Sequence, residues 1–192
     1  MRLNLNEILA TPPCPLGMIP KGDPGVRVPI EGMVPNGVAG EILVHQKIYS
    51  GRPDVKAICR IQPPSVMVLS ALGAVPQPRH GFGAYLRVSF WDDPRLLRNS
   101  QLAQGAALQL GQGNAVILRG NGAIVAESSL ERALTLSWYL EDAARLELAV
   151  RGLQDEPGER LLSEVETAQR AVWEGAIAER MWAHLTCGDE EA

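Results

Sequence analysis

The sequence predicts an α/β domain of stacked layers, and two patterns carry that prediction. Short apolar runs of strand character alternate with longer helical patterns along most of the chain. Pro and Gly punctuate the junctions between these runs. At 192 residues the chain is expected to form one domain over 1–192 with enough sequence to bury a sizeable core.

Residues 1–36, rich in Pro and Gly, read as an irregular entry segment with one short hairpin around Gly22 and Pro24. From Val38 to Tyr49 the pattern is helical, with Ile42, Ile48 and Tyr49 available to one face. Pro53 in Arg52-Pro53-Asp54 stops that helix, because its ring cannot continue it. Val55 to Ile61 reads as a mostly apolar strand ended by Pro63-Pro64, and Ser65 to Leu72 as a helix closed by Gly73. Another strand is expected near Tyr85 to Phe90. Asp92-Asp93-Pro94 is expected to open a helix running to about Leu110. Ala115–Leu118 and Ala123–Val125 read as two strands joined through Arg119-Gly120-Asn121-Gly122, where Asn-Gly marks a tight turn. The next helix opens on a capping box of Ser128 and Glu131, with Leu130, Leu134, Trp138 and Leu148 building its apolar stripe. After a break over Gly152 to Gly158, one final helix is expected over 159–186.

Composition excludes several partner classes. A net charge of −4 supplies no basic field for nucleic acid, so none is expected as a partner. No apolar run is long enough to cross a bilayer and no charged-then-apolar leader follows Met1, so no membrane partner is expected. Cys14, Cys59 and Cys187 are odd in number and far apart. That pattern suits free thiols in a reducing compartment, and a cytoplasmic location is expected.

Several segments, in order, resemble the class II aldolase/adducin family. Glu41, His45, Tyr49 and Arg52-Pro53-Asp54-Val55 look like the family segment in which a Glu begins a helix and an RPDV run leads into the metal strand. Asp93-Pro94-Arg95-Leu96, then Leu118-Arg119-Gly120-Asn121-Gly122, are similar to the later half. So are Ser129-Leu130-Glu131-Arg132-Ala133 and Leu140-Glu141-Asp142-Ala143-Ala144-Arg145. The likeness covers roughly Gly40 to Val150. It implies a three-layer α/β/α sandwich with a largely antiparallel central sheet, usually assembled as a homotetramer with sites near subunit interfaces. The reactions of such a family are diverse, so the fold alone does not choose one.

The resemblance also locates a metal site, and here the chain departs from it. Active members carry an H-x-H pair at the end of the strand after RPDV, where i and i+2 side chains face the same way, and a third His in an HG turn. This chain has Arg60, Gln62 and Asn121 at those positions. A guanidinium is permanently charged and cannot ligate a cation, and the two amides are weak ligands. No metal at this place and no other cofactor is therefore expected; His45, His80, Glu41 and Cys59 are the candidates for a relocated metal site, weighed below a structural, hydrogen-bonded role for each His. Cys59 neighbours Arg60 and should face the opposite side of the strand. The Gly/Ser/Asn-rich phosphate loop of relatives has no counterpart, which makes phosphorylated sugars poor candidate substrates.

Glu41 stands where the family keeps its acid/base carboxylate. Arg60 offers a fixed cation to clamp a carboxylate or oxyanion, with Gln62 and Asn121 adding neutral hydrogen bonds. His45, one helical turn from Glu41, and His80, beside Gly81, complete the expected substrate-binding set; His184 is expected at the surface. The expected function is a metal-independent lyase acting on a small oxo acid or hydroxy acid by decarboxylation, dehydration or carbon–carbon cleavage. The competing reading is a non-catalytic adducin-like assembly protein or a binder of small carboxylates, with Arg60 and Glu41 filling the old cavity as a pair.

Overall fold

The computed structural model describes residues 1–153 and 160–188. Its centre is a four-stranded mixed sheet of β3 (Ala57–Ile61), β6 (Ala123–Glu127), β5 (Ala115–Leu118) and β4 (Val88–Trp91), in that spatial order. β3 and β5 both run antiparallel to β6, and β4 runs parallel to β5, so antiparallel pairing predominates. The helices α1 (Ile42–Gly51) and α3 (Ser100–Leu110) cover one face, and α2 (Pro64–Leu72) and α4 (Leu130–Arg151) cover the other. The result is the expected α/β/α sandwich.

Alternation along the strands divides the core in two. Val116, Leu118, Ile124 and Ala126 join Ile42, Val44, Ile48, Leu102 and Ala106 on the α1 face. Ala115, Ile117, Ala123 and Val125 join Val66, Leu69, Leu136, Leu140 and Ala144 on the α4 face. A period of two puts neighbouring strand residues into different layers. α3 comes close enough to β4 that a methyl group at Gly105 would lie 2.5 Å from the Trp91 ring.

Several elements differ from the sequence reading. The segment 1–36 is not irregular throughout: β1 (Glu7–Ala10) and β2 (Val26–Pro29) form a two-stranded antiparallel sheet, and Ile8 and Val28 enter the α1-face core. The connection between them passes Gly22 and Gly25 at positive φ, so the hairpin is wider than the one expected there. The first helix starts at Ile42 rather than Val38, and the third at Ser100 rather than Asp92. Asp93 accepts the backbone N–H of Arg95 and its guanidinium, which holds the chain in a local turn, and Asn99 then caps α3 through the N–H of Leu102. Ser129, not Ser128, caps α4. The expected stripe of α4 is met in part: Leu148 packs against the core and Leu134 is half-buried, but Trp138 is 54% exposed and Leu130 is exposed, and Ala133, Leu136, Leu140 and Ala144 are the buried positions. In place of one final helix there are α5 (Glu164–Arg170) and α6 (Ile177–Leu185), separated where Gly175 and Ala176 take positive φ. Residues 154–159, including most of the expected break and Glu159, lie outside the described residues.

α4 also fastens the segment that follows α2. Glu147, 1% exposed, accepts from Arg79 and Arg151 at 2.8 Å each and from the Gln77 N–H at 3.3 Å. Removing one partner of a buried charge pair costs far more than the pair contributes net. Glu147→Gln is expected to lower stability by about 3 kcal/mol, read as a lower urea midpoint at unchanged slope.

Candidate active site

Four of the residues singled out in the sequence converge where β3 ends and the β5–β6 turn begins. Arg60 pairs in register with Ile124, so its side chain leaves the sheet on the α1 face. Glu41 sits at the N-cap position of α1, above the same face. The Arg60 Nε and the Glu41 Oε2 are 3.9 Å apart, and both side chains are largely shielded from solvent. Arg60 Nη1 donates to the Ile61 carbonyl at 3.0 Å and to the Ala123 carbonyl at 3.4 Å. Burial pulls the Arg60 pKa down and Glu41 opposes that, so the guanidinium keeps its charge.

The turn over Arg60 requires glycine. Gly120 and Gly122 hold positive φ, while Asn121 does not. A Cβ at Gly122 would lie 2.1 Å from the Ile61 carbonyl oxygen and 3.1 Å from Arg60 Nη1. This close approach carries Asn121 to Gln62, whose Nε2 donates to Asn121 Oδ1 at 2.8 Å.

The histidines part company. His45 is half-buried on α1, and its pKa falls to about 4 through burial first, then the positive charges of the chain N-terminus and of Arg60. It is a neutral imidazole near pH 7. His80 is not part of the group: its Nε2 lies 3.0 Å from Asp142 Oδ2 on α4, and its ring meets Phe82 edge-on. His184 is exposed. Cys59 faces the α4 side, where burial raises its thiol pKa and a hydrogen bond with Ser137 only partly opposes it. A thiol so held is a poor nucleophile. An apolar groove of about 390 Å³ also lies on that side, lined by Ile61, Pro63, Leu134 and Trp138, with Gln62 and Glu141 at its polar edge.

The residues present do not fit the divalent ion that the resemblance implies. The guanidinium of Arg60 occupies one position with a fixed positive charge, and the amides at the other two are hydrogen-bonded to each other. Among the described residues no group of three or more His, Cys, Asp or Glu side chains comes together to hold a metal. One neighbour was not foreseen. Arg98, far away in sequence, lies along Gly40, with its Cγ 3.4 Å from the point a Cβ would occupy there.

Two measurements follow from this geometry. In the unfolded chain His45 takes a proton near its ordinary pKa of about 6.5, whereas in the folded protein it does so only at about 4. Acid therefore favours the unfolded state across that window. Stability is expected to fall as pH drops from about 6.5 towards about 4, with a shallower fall in His45→Gln; equal slopes in denaturation series across pH would contradict it. Elemental analysis after purification without chelator is expected to find zinc, iron and manganese each well below one per chain.

The family model for the class II aldolase and adducin N-terminal domain matches residues 22–148. A 3,4-dihydroxyphthalate decarboxylase of Rhodococcus jostii (strain RHA1) is 30% identical over 128 residues, covering 62% of this chain and 53% of that protein. The chain spans about half the length of the curated relatives it matches. Among solved structures, YgbL of Klebsiella pneumoniae aligns with a TM-score of 0.68 at 23% identity, over 85% of this chain and 81% of that one. An L-fuculose 1-phosphate aldolase from Glaciozyma antarctica PI12 aligns with a TM-score of 0.63 at 19% identity, over 84% and 68%. Sequence and architecture agree: the chain belongs to the class II aldolase and adducin family.

Proposed function

We propose that the protein is a metal-independent lyase that decarboxylates a small hydroxy acid or oxo acid. The observation that carries this is the fixed guanidinium of Arg60, anchored through Nη1 on two carbonyls with Nε 3.9 Å from the Glu41 carboxylate. When the carbon–carbon bond to the departing carboxylate breaks, its electron pair stays on the substrate and moves onto a conjugated oxygen. Arg60 meets that developing charge, in a place shielded from water, where a fixed cation stabilises it more than it stabilises the substrate. CO₂ leaves with the broken bond, and Glu41 takes a proton from solvent and passes it to the carbon that carries the electron pair, returning to its carboxylate form. Neutral His45, together with Gln62 and Asn121, supplies hydrogen bonds around the substrate; His80, tied to Asp142, is left out of this reading.

The curated relatives are named as decarboxylases, which favours decarboxylation over dehydration or aldol cleavage within the same chemistry. Assembly of several copies belongs to the proposal. The exposed Leu130 and Trp138 give α4 an apolar outward surface suited to a subunit contact. A second reading has its own support: Arg60 lies against Glu41, and Gln62 already bonds Asn121. That arrangement suits a non-catalytic carboxylate-binding or adducin-like assembly protein.

Release of CO₂ from a panel of hydroxybenzoic and 2-oxo acids separates the two. Turnover is expected with at least one acid, and Arg60→Ala is expected to lower it by about 10²–10³. Glu41→Gln should lose about 10²-fold or more. Undiminished turnover in Arg60→Ala would refute the oxyanion role, and binding without CO₂ release would favour the second reading.

A further inference from the structure

The apolar groove on the α4 side stands outside the chemistry assigned to Arg60. Ile61, Pro63 and Leu134 form its walls, and the indole of Trp138 lies beside them. Trp138 is more than half exposed, in the middle of a 22-residue helix where its neighbours Ser137 and Tyr139 are buried. The polar side chains that reach the groove are already engaged. Gln62 Nε2 donates to Asn121 at 2.8 Å, and the Ser137 hydroxyl donates to the Ala133 carbonyl at 2.7 Å. Glu141 accepts the N–H groups of Ser65 and Val66, each at 3.0 Å. Its charge is thus met at the start of α2. Among the described residues no Lys, Arg or His lines the groove.

We propose that this groove is a second binding site, taking one small uncharged ring laid against Trp138. An anion finds no cation there and meets the carboxylate of Glu141 instead. A strongly polar molecule would give up water for groups whose bonds are already made. A rigid ring loses neither: it stacks on the indole and covers Ile61, Pro63 and Leu134 at little cost in conformational freedom. At about 390 Å³ the groove stands near the small end of ligand sites, which run from about 300 to 1,000 Å³. A second copy of the chain is the competing occupant, since Trp138 also belongs to the outward surface of α4. A stable protein interface orders about 20–30 residues on each side, whereas seven described residues line this groove. The site shares Gln62 with the group around Arg60 but takes no part in the reaction given to Arg60 and Glu41.

Calorimetric titration near pH 7 with 2-naphthol and 2-naphthoate tests this, because the two share a ring system and differ in charge. 2-Naphthol is expected to bind once per chain. Trp138→Ala, at an exposed position, should weaken it about tenfold or more. Leu130→Ala, outside the groove, and Arg60→Gln should leave it unchanged. 2-Naphthoate is expected to gain nothing from Trp138 and so to show the same affinity in Trp138→Ala. Absence of 2-naphthol binding by the unmodified protein overturns the inference, as does unchanged binding in Trp138→Ala or an equal loss for both probes there. Loss of 2-naphthol binding in Arg60→Gln would place the probe in the other site and overturn it too. Sedimentation velocity is expected to show the same species for the unmodified protein and Trp138→Ala; dissociation in the variant would assign the groove to a second copy instead.

Discussion

The site depends on one close approach, the β5–β6 turn laid directly on the end of β3. At Gly122 the backbones come together so tightly that no Cβ fits against the Ile61 carbonyl. Antiparallel pairing of β3 with β6 sets the register, from Ala57 opposite Glu127 to Ile61 opposite Ala123. The turn that follows therefore has nowhere to lie but over Arg60. The same contact roofs the guanidinium, presents it with the Ala123 carbonyl, and sets Asn121 beside Gln62. A side chain at position 122 would lift the turn and dismantle all three arrangements together.

Placing a guanidinium where the family resemblance implies a metal ligand changes the physics without removing the positive charge. A metal ion accepts lone pairs and exchanges ligands, whereas a guanidinium offers in-plane N–H donors to an oxyanion and never coordinates. Partial burial makes each such contact stronger than in water and makes an unpaired charge more costly. The structure meets that cost with two carbonyls and with Glu41 nearby. The same cation helps keep His45 neutral. Formal charge at the end of β3 thus comes from Arg60 and its neighbour Glu41.

The carboxylates of the opposite layer are engaged in holding helix and loop ends, and of these Glu141 shares the apolar groove with Gln62. From α4, Glu141 accepts the N–H groups of Ser65 and Val66 and so holds the start of α2, while Glu147 gathers Arg79, Arg151 and the Gln77 N–H. Asp142 takes His80 into the same layer. These carboxylates are committed to holding helix and loop ends, and the sheet stands between them and Arg60.

Much of this was legible in the chain itself. The strands 55–61, 115–118 and 123–125 are apolar and bounded by Pro or Gly, and local chemistry of that kind survives in any fold. The i, i+2 rule placed Arg60 opposite Cys59 across the sheet, and the Asn-Gly pair announced the turn that carries Asn121. Local signals misled where tertiary contacts outweighed them. Asp93-Pro94 imitates a helix start, yet Asp93 is occupied by Arg95 and Leu97 is drawn into the core, so α3 waits for Asn99. Leu130 and Trp138 hold helical spacing on α4, but the smaller Ala133 and Ala144 let that face lie closest to the sheet. His80 stands beside a glycine in sequence, and only folding reveals its bond to Asp142. Nothing local brings Arg98 to Gly40. What the sequence determined alone was the set of elements and the chemical character of Arg60, Gln62, Asn121 and Glu41, because these follow from periodicity and residue type. Which of those groups meet, and which outsider joins them, was decided by the tertiary structure, since proximity between distant segments arises only when both faces of the sheet are packed.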